Sequence, residues 1–276
     1  MSHQIDLALY AERIGFSGEF KPDFVTLSAI QFGQTTNIPF ENLEILRGLP
    51  IEIDLASLED KLVAKRRGGY CFEQNSLLLG VLQQIGFQAR PHAARVRIGN
   101  ERSFLPPRTH LFVQVDLDGQ TWIIDSGVGS MSLSSPIRFE LDAVQETLHE
   151  PRRITQENGV YFHQILMSGE WQDVYEFGGE EMPLIDREVA NWWTSTCWAA
   201  KFRQNMFAGL ARPNGERFGL LNGVFIHRKG AEILREITVN SDQELLEILL
   251  AEFGLEFPSG TDLGSVGCPW KLRATL

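Results

Sequence analysis

The dipeptide Asp118-Gly119 lies between two alternating apolar runs, Leu111-Phe112-Val113-Gln114-Val115-Asp116-Leu117 and Gln120-Thr121-Trp122-Ile123-Ile124-Asp125, and it constrains the fold more than any other feature of the chain. A two-residue hairpin turn needs positive φ at both central positions, a demand that Asp-Gly meets and most pairs do not. Leu117 then opposes Gln120, Phe112 opposes Asp125 and His110 opposes Gly127. Because side chains alternate between the faces of a strand, His110, Phe112 and Asp125 fall on one face. His110 and Asp125 become diagonal neighbours with α-carbons roughly 7 to 8 Å apart, a gap that an imidazole and a carboxylate bridge with one hydrogen bond. A slip of one residue would send the two side chains to opposite faces.

The same punctuation recurs. From about residue 92 onward, short apolar runs are also separated by Asn158-Gly159, Ser168-Gly169 and Asn222-Gly223, which predicts a largely antiparallel sheet or barrel. The first third reads at helical spacing instead. Leu7, Tyr10, Ala11 and Ile14 form an apolar stripe that Gly15 closes. Ser57, ahead of Leu58-Glu59-Asp60, predicts an N-cap with Asp60 in the reciprocal position, for a helix that runs into Arg66 and stops at Gly68-Gly69. A further helix is expected from Cys71 to Ile85, closed by Gly86, with Cys71 in its first turn. Near the end, Ser241-Asp242-Gln243-Glu244 reads as a capping box opening a helix that Gly254 closes.

Composition narrows the function. With 276 residues, 43% of them hydrophobic and 22% charged, the chain can bury roughly three quarters of its unfolded surface and needs neither disulfides nor a structural metal. Cys71, Cys197 and Cys268 are widely spaced without a Cys-x-x-Cys pair, which argues against a disulfide framework and a zinc site and predicts a reducing cytoplasm. The start, Met1-Ser2-His3-Gln4-Ile5-Asp6, has no cationic residue followed by an apolar stretch, and no run approaches the roughly 18 apolar residues of a membrane span. A soluble cytoplasmic protein without a membrane partner is expected. A net charge of −11 repels polyanions, so nucleic acid is excluded as an expected partner. The pairs Arg66 with Arg67 and Arg95 with Arg97 read as solvated surface.

The chemistry converges on Cys71. A hydrogen bond from His110 to Asp125 would set the imidazole tautomer and stabilise the imidazolium, which would hold Cys71 as thiolate. The unpaired amides of a first helical turn add partial positive charge at the same sulfur. Free thiols near pKa 8.5 are only a few per cent ionised at neutral pH, whereas helix-start cysteines beside a charged histidine reach roughly 3.5 to 7.5. Cys197 and Cys268 read as small buried hydrophobes. His92, His149, His163 and His227 have no comparable setting, and no His-x-x-x-His or His/Cys cluster suggests a metal.

With nucleophile, base and carboxylate in this order, the chain resembles the arylamine N-acetyltransferases. The likeness is carried by Arg13-Ile14-Gly15, Ile38-Pro39-Phe40-Glu41-Asn42-Leu43, Arg67-Gly68-Gly69-Tyr70-Cys71-Phe72-Glu73-Gln74-Asn75, Pro106-Pro107-Arg108-Thr109-His110 and the segment ending in Asp125. It implies an α+β fold with a cysteine-protease-like Cys-His-Asp core. The implied parts are a helical bundle over 1–88 carrying Cys71, an antiparallel β-barrel over 89–195 carrying His110 and Asp125, and an α/β lid over 196–276. Cys71, His110 and Asp125 are the implied catalytic residues. The implied reaction is ping-pong: Cys71 takes an acetyl group from acetyl-CoA as a thioester and passes it to an arylamine or arylhydrazine, without a metal.

Gly127, Gly129 and Ser130 correspond to a family loop whose backbone approaches the coenzyme, and Phe72 and Val128 are the implied substrate contacts. Gly127-Val128-Gly129 also reads as an ordinary glycine turn. Val128 stands where the family commonly has a phenylalanine, Trp198-Ala199-Ala200 replaces a more usual Pro-x-Ser stretch, and the sequence ends soon after Cys268-Pro269-Trp270 without an extended helical tail. These departures are expected to alter acceptor preference and coenzyme affinity. The same triad order also serves amide synthases that use carrier- or CoA-bound acyl thioesters, transglutaminase-like or papain-like hydrolases, and a non-enzymatic binding protein with a vestigial site. Nothing in the sequence sets the oligomeric state.

Overall fold

A computed structural model describes residues 3–273. Helix α1 (Leu7–Ile14) starts at Asp6, whose carboxylate accepts from the amides of Ala8 and Leu9, and ends on Gly15 at φ 69°. Helix α2 (Phe24–Asn37) is capped by Asp23. The short strand β1 (Phe40–Glu41) and helix α3 (Leu43–Leu46) follow. Helix α4 (Leu55–Leu58) continues as a π-helical turn, Glu59–Ala64.

Here the sequence expectation is corrected. The cap is Asp54, which accepts from the Ser57 amide at 3.0 Å, so Ser57 lies inside the helix. An ionised acceptor three residues upstream outcompetes the serine and adds a turn to the helix. The helix also stops earlier than expected, because the Arg67 amide reaches back to the Lys61 carbonyl and Arg66 turns at φ 52°.

Helix α5 (Cys71–Ile85) closes on Gly86 as expected. The two glycines before it are required by close approach. A Cβ on Gly68 would lie 2.3 Å from the Pro39 carbonyl oxygen, and one on Gly69 would lie 2.7 Å from the Glu73 carboxylate.

Strands β2 (Gln88–Val96), β3 (His110–Leu117), β4 (Gln120–Ile124), β5 (Ile137–Arg138), β6 (Arg152–Glu157), β7 (Val160–Met167) and β8 (Glu170–Phe177) form one antiparallel sheet in the order β5-β4-β3-β2-β8-β7-β6. Bonds from Asp142 to the Ile154 carbonyl and between Gln145 and Arg152 bring the chain after β5 back to β6, nearly closing a barrel. The β3–β4 register runs from Leu117 opposite Gln120 to Val113 opposite Ile124, as the Asp-Gly turn demands. At Asp118-Gly119, Asn158-Gly159 and Ser168-Gly169 both residues have positive φ. One face of the barrel packs Val113 and Val115 against Leu27, Ile30, Leu78 and Leu82 of the helices. The interior packs Ala94, Phe112, Ile154, Tyr175 and Phe177.

Helices α6 (Leu184–Thr196) and α7 (Lys201–Gln204) lead to β9 (Phe207–Ala211), β10 (Glu216–Leu221), β11 (Val224–Lys229) and β12 (Glu232–Thr238). These strands form a second sheet in the order β1-β9-β10-β11-β12, so a strand from the helical first third completes it. Helix α8 (Asp242–Phe253) is capped by Ser241 and closed by Gly254, although the Glu244 carboxylate reaches the Asn240 amide, one residue beyond the capping-box position. The last element among the described residues is α9 (Pro269–Arg273). Cys268 is buried against α8 and this sheet, and burial pushes its thiol up to about 11; Cys197 is half-buried at the end of α6. Among the described residues, no helix is long and apolar enough to cross a membrane.

The arginine pairs do not form the solvated surface expected of them. Arg97 is 4% exposed and donates to Glu176 and to the carbonyls of Glu101 and Phe104, while Arg95 holds the Pro106 carbonyl at 2.6 Å. Arg67 pairs with Glu41 at 3.1 Å. Of the four, Arg66 alone is more than half exposed.

Candidate active site

The start of α5 is fixed before any chemistry is considered. The Tyr70 amide donates to Glu73 Oε2 at 3.0 Å, and the other Glu73 oxygen accepts from Lys61. Cys71 therefore opens the helix in one orientation. It is 3% exposed, and its Sγ lies 3.6 Å from the Thr109 carbonyl oxygen. Thr109 is the residue before His110, the first residue of β3.

His110 Nε2 lies 2.7 Å from Asp125 Oδ2, which leaves Nδ1 as the second ring nitrogen, and both residues are buried. The diagonal is made because the β3–β4 ladder ends one pair short of Asp125. Past that point the Asp125 amide donates to Gln31 and the Ser126 amide to Asn75, each at 3.0 Å. The chain peels away from β3 and delivers the carboxylate to the imidazole.

Burial alone would lower the His110 pKa. The charge and hydrogen bond of Asp125 override it, Cys71 adds a hydrogen bond in the same direction, and the result is a pKa of about 10. His110 is thus an imidazolium at neutral pH. Tyr175 packs its ring 5.1 Å from the imidazole.

Asp125 Oδ1 accepts from Asn75 Nδ2 and from the Gly127 amide, each at 2.8 Å. The same Asn75 nitrogen donates to the Leu111 carbonyl at 2.6 Å, so one side chain ties α5 to β3 and to the Asp125 loop. Sequence reading gave Asn75 no role, yet its place four residues after Cys71 puts both on one helix face, and that spacing was the available signal. Gln31 had no such signal. Its amide nitrogen donates to Ser126 Oγ and to the Leu133 carbonyl, and it meets the Asp125 segment from 94 residues away.

The glycine loop approaches this chain's own helix. A Cβ on Gly127 would lie 2.7 Å from Cys71 Cα and 2.6 Å from Asn75 Nδ2. Gly129 and Ser130 lie in a 3₁₀ turn, Gly129–Met131, packed so closely against β9 that a Cβ on Gly209 would lie 2.6 Å from the Ser130 amide. Val128 is half-buried and packs with Ile98 and Met131 onto the barrel core. Phe72 has no exposed surface and meets Tyr70 edge-on at 5.6 Å. Trp198 is largely exposed and Ala200 buried.

Known proteins resemble this chain in sequence and fold. Residues 23–261 match a family model described as N-acetyltransferase. The chain is 36% identical to the arylamine N-acetyltransferase of Mycolicibacterium smegmatis over 257 residues, which is 91% of this chain and 92% of that protein. A solved structure of the M. smegmatis arylamine N-acetyltransferase matches with a TM-score of 0.89 and 33% identity, covering 96% of this chain and 98% of that one. The Mycobacterium marinum arylamine N-acetyltransferase, solved in complex with CoA, matches with a TM-score of 0.86 and 30% identity, covering 91% and 93%. Alike in sequence and fold over nearly its whole length, the chain belongs to the arylamine N-acetyltransferase family.

Proposed function

We propose that the chain transfers an acetyl group from acetyl-CoA to an arylamine or arylhydrazine by a ping-pong route through a thioester on Cys71. The observation that carries this reading is His110, buried and bound to Asp125 at 2.7 Å, beside a cysteine that opens a helix. Family membership and the CoA-bound M. marinum relative support the donor.

In the first half, the Cys71 thiolate adds to the thioester carbonyl of acetyl-CoA. Amides at the start of α5 would stabilise the developing oxyanion. The carbonyl re-forms, the C–S bond to the coenzyme breaks, and the departing thiolate takes the His110 proton. In the second half, a neutral aromatic amine attacks the acetyl-cysteine and His110 accepts a proton from its nitrogen. The C–S bond to Cys71 breaks, restoring the thiolate and imidazolium. Asp125 orients the ring and stabilises its cation throughout. Gly127, Gly129 and Ser130 are proposed to present backbone to the coenzyme, and Val128 to face the acceptor.

Intact-mass measurement after incubation with acetyl-CoA should show one added acetyl group, absent in Cys71→Ala and discharged by an arylamine. An adduct that survives in Cys71→Ala, or none in the unaltered protein, would overturn the proposal.

A further inference from the structure

The barrel interior carries polar groups that the acetyl-transfer chemistry leaves unused. Residues directly opposite each other in a ladder share a face, as do residues two apart on one strand. Ala94 opposes His110, Val96 opposes Tyr175, Tyr175 opposes His163, and His163 opposes Ile154, two residues from Arg152. His110, Tyr175, His163 and Arg152 therefore line one interior face across β3, β8, β7 and β6. The Tyr175 ring lies 5.1 Å from that of His110 and 4.7 Å from that of His163. Arg152, His163 and Tyr175 have no exposed surface.

Charge at the far end of this line does not balance. Arg152 and Arg217, both fully buried, and Arg228, 13% exposed, share the single carboxylate of Glu150. Arg217 takes both of its oxygens at 2.7 to 3.0 Å and Arg228 takes one at 2.8 Å, whereas Arg152 reaches it only at 3.4 Å. Arg152 Nη2 donates to the Met131 carbonyl at 2.9 Å, but its Nε and Nη1 have no partner among the described residues. Both nitrogens of His163 are also without a hydrogen-bond partner among the described residues, whereas the Tyr175 hydroxyl faces Asp125. Asp125 is engaged by His110, Asn75, the Gly127 amide and the Tyr175 hydroxyl.

Burial pulls Arg152 down to about 9, which still leaves it cationic at neutral pH. A buried cation with unmet donors is strongly unfavourable. Water would satisfy the donors but not the charge.

We propose that the barrel interior binds a small monovalent anion, of the size and charge of chloride, on Arg152 Nε and Nη1, with a ring N–H of His163 completing the donor set. Complete burial restricts the ligand to a single small ion admitted by fluctuation of the barrel. The donors select an anion over a cation. One negative charge balances the guanidinium that Glu150 serves least.

The test exchanges chloride for gluconate at constant ionic strength and follows thermal unfolding. Above its dissociation constant, each tenfold rise in chloride should raise the folding equilibrium constant about tenfold. Crystals grown with bromide should show an anomalous peak at Arg152. Arg152→Met should abolish the chloride dependence. Should that variant fail to fold, His163→Phe, which leaves Arg217, Arg228 and Glu150 untouched, should move the chloride midpoint several-fold higher. Thermal unfolding unmoved by halide, or a bromide map without a peak at Arg152, overturns the proposal.

Discussion

One buried ionic cluster at the start of α5 and another against the Gly129–Met131 turn are imbalanced in opposite senses. At α5, Glu41, Glu44 and Glu73 share Lys61 and Arg67, with Lys61 2.5 Å from both Glu44 and Glu73 and Arg67 3.1 Å from Glu41. At the turn, Arg152, Arg217 and Arg228 share Glu150. The first cluster has one acid too many, the second two bases too many. A carboxylate can discharge by taking a proton. Burial, aided by the charge of Glu41 and opposed by Lys61, pushes Glu73 up to about 7. Burial would raise Glu150 as well, but its three arginines hold it at about 2. A guanidinium has no comparable way to discharge near neutral pH. The acid-rich cluster corrects itself, and the base-rich one needs a partner from outside the chain.

Between these two, His110 and Asp125 are the balanced case, and breaking that balance should have the largest effect. Asp125→Asn keeps the shape and removes the charge, so kcat/KM for acetyl transfer should fall roughly 10⁴-fold in steady-state assays. The histidine adds a signature in stability. Its folded pKa of about 10 lies above the unfolded value near 6.5, so its contribution is full below about 6.5 and is lost as pH rises through about 10. Urea unfolding of Asp125→Asn should show a smaller loss of stability across that window. An unchanged loss would assign it to another group.

The next effect belongs to Glu150. Glu150→Gln leaves three arginines without a carboxylate and should cost about 3 to 5 kcal/mol by urea unfolding at pH 7. Because the folded pKa of Glu150 is depressed, its contribution is present above its unfolded value and is lost as pH falls through about 2. The gap between the variant and the unaltered protein should therefore narrow in strong acid. A cost below about 1 kcal/mol at pH 7 would mean that the cluster already has another counter-charge of comparable weight.

These contrasts also mark what the sequence could reveal. The His110–Asp125 contact spans 15 residues and follows from one turn dipeptide, so local chemistry was enough to place it. Helix α5 and its Gly86 cap were equally local. Arg97 and Arg67 read as solvated because nothing near them announces Glu176, 79 residues on, or Glu41, 26 residues back. The same distance hid Glu150 and Gln31. Ser57 was misread for another reason: two capping residues lay within one turn of each other, and the ionised one won. Asn75 stands between these cases, legible in its spacing from Cys71 but not in its partners. Asn75→Ala should weaken the fold by about 1 to 3 kcal/mol, because it strands the Leu111 carbonyl and removes a donor from Asp125. Unfolding together with kcat would show whether the site loosens as the fold does.

The smallest effect should come from Glu73, and it tests the opening contrast most directly. Its folded pKa of about 7 lies above the usual carboxylate value, so the stability it contributes is full below about 4.5 and is lost as pH rises through about 7. Glutamine resembles the protonated acid and can still accept from the Tyr70 amide, so Glu73→Gln at pH 5 should stay within about 1 kcal/mol of the unaltered protein. Raising the pH to 7 should then shift the comparison in favour of the variant, because glutamine has no proton to lose. A cost at pH 5 as large as that of Glu150→Gln at pH 7 would show that Glu73 is ionised there and paired with Lys61. The acid-rich cluster would then be as dependent on its charges as the base-rich one, and self-correction by proton uptake would fail as the account of how Cys71 is held.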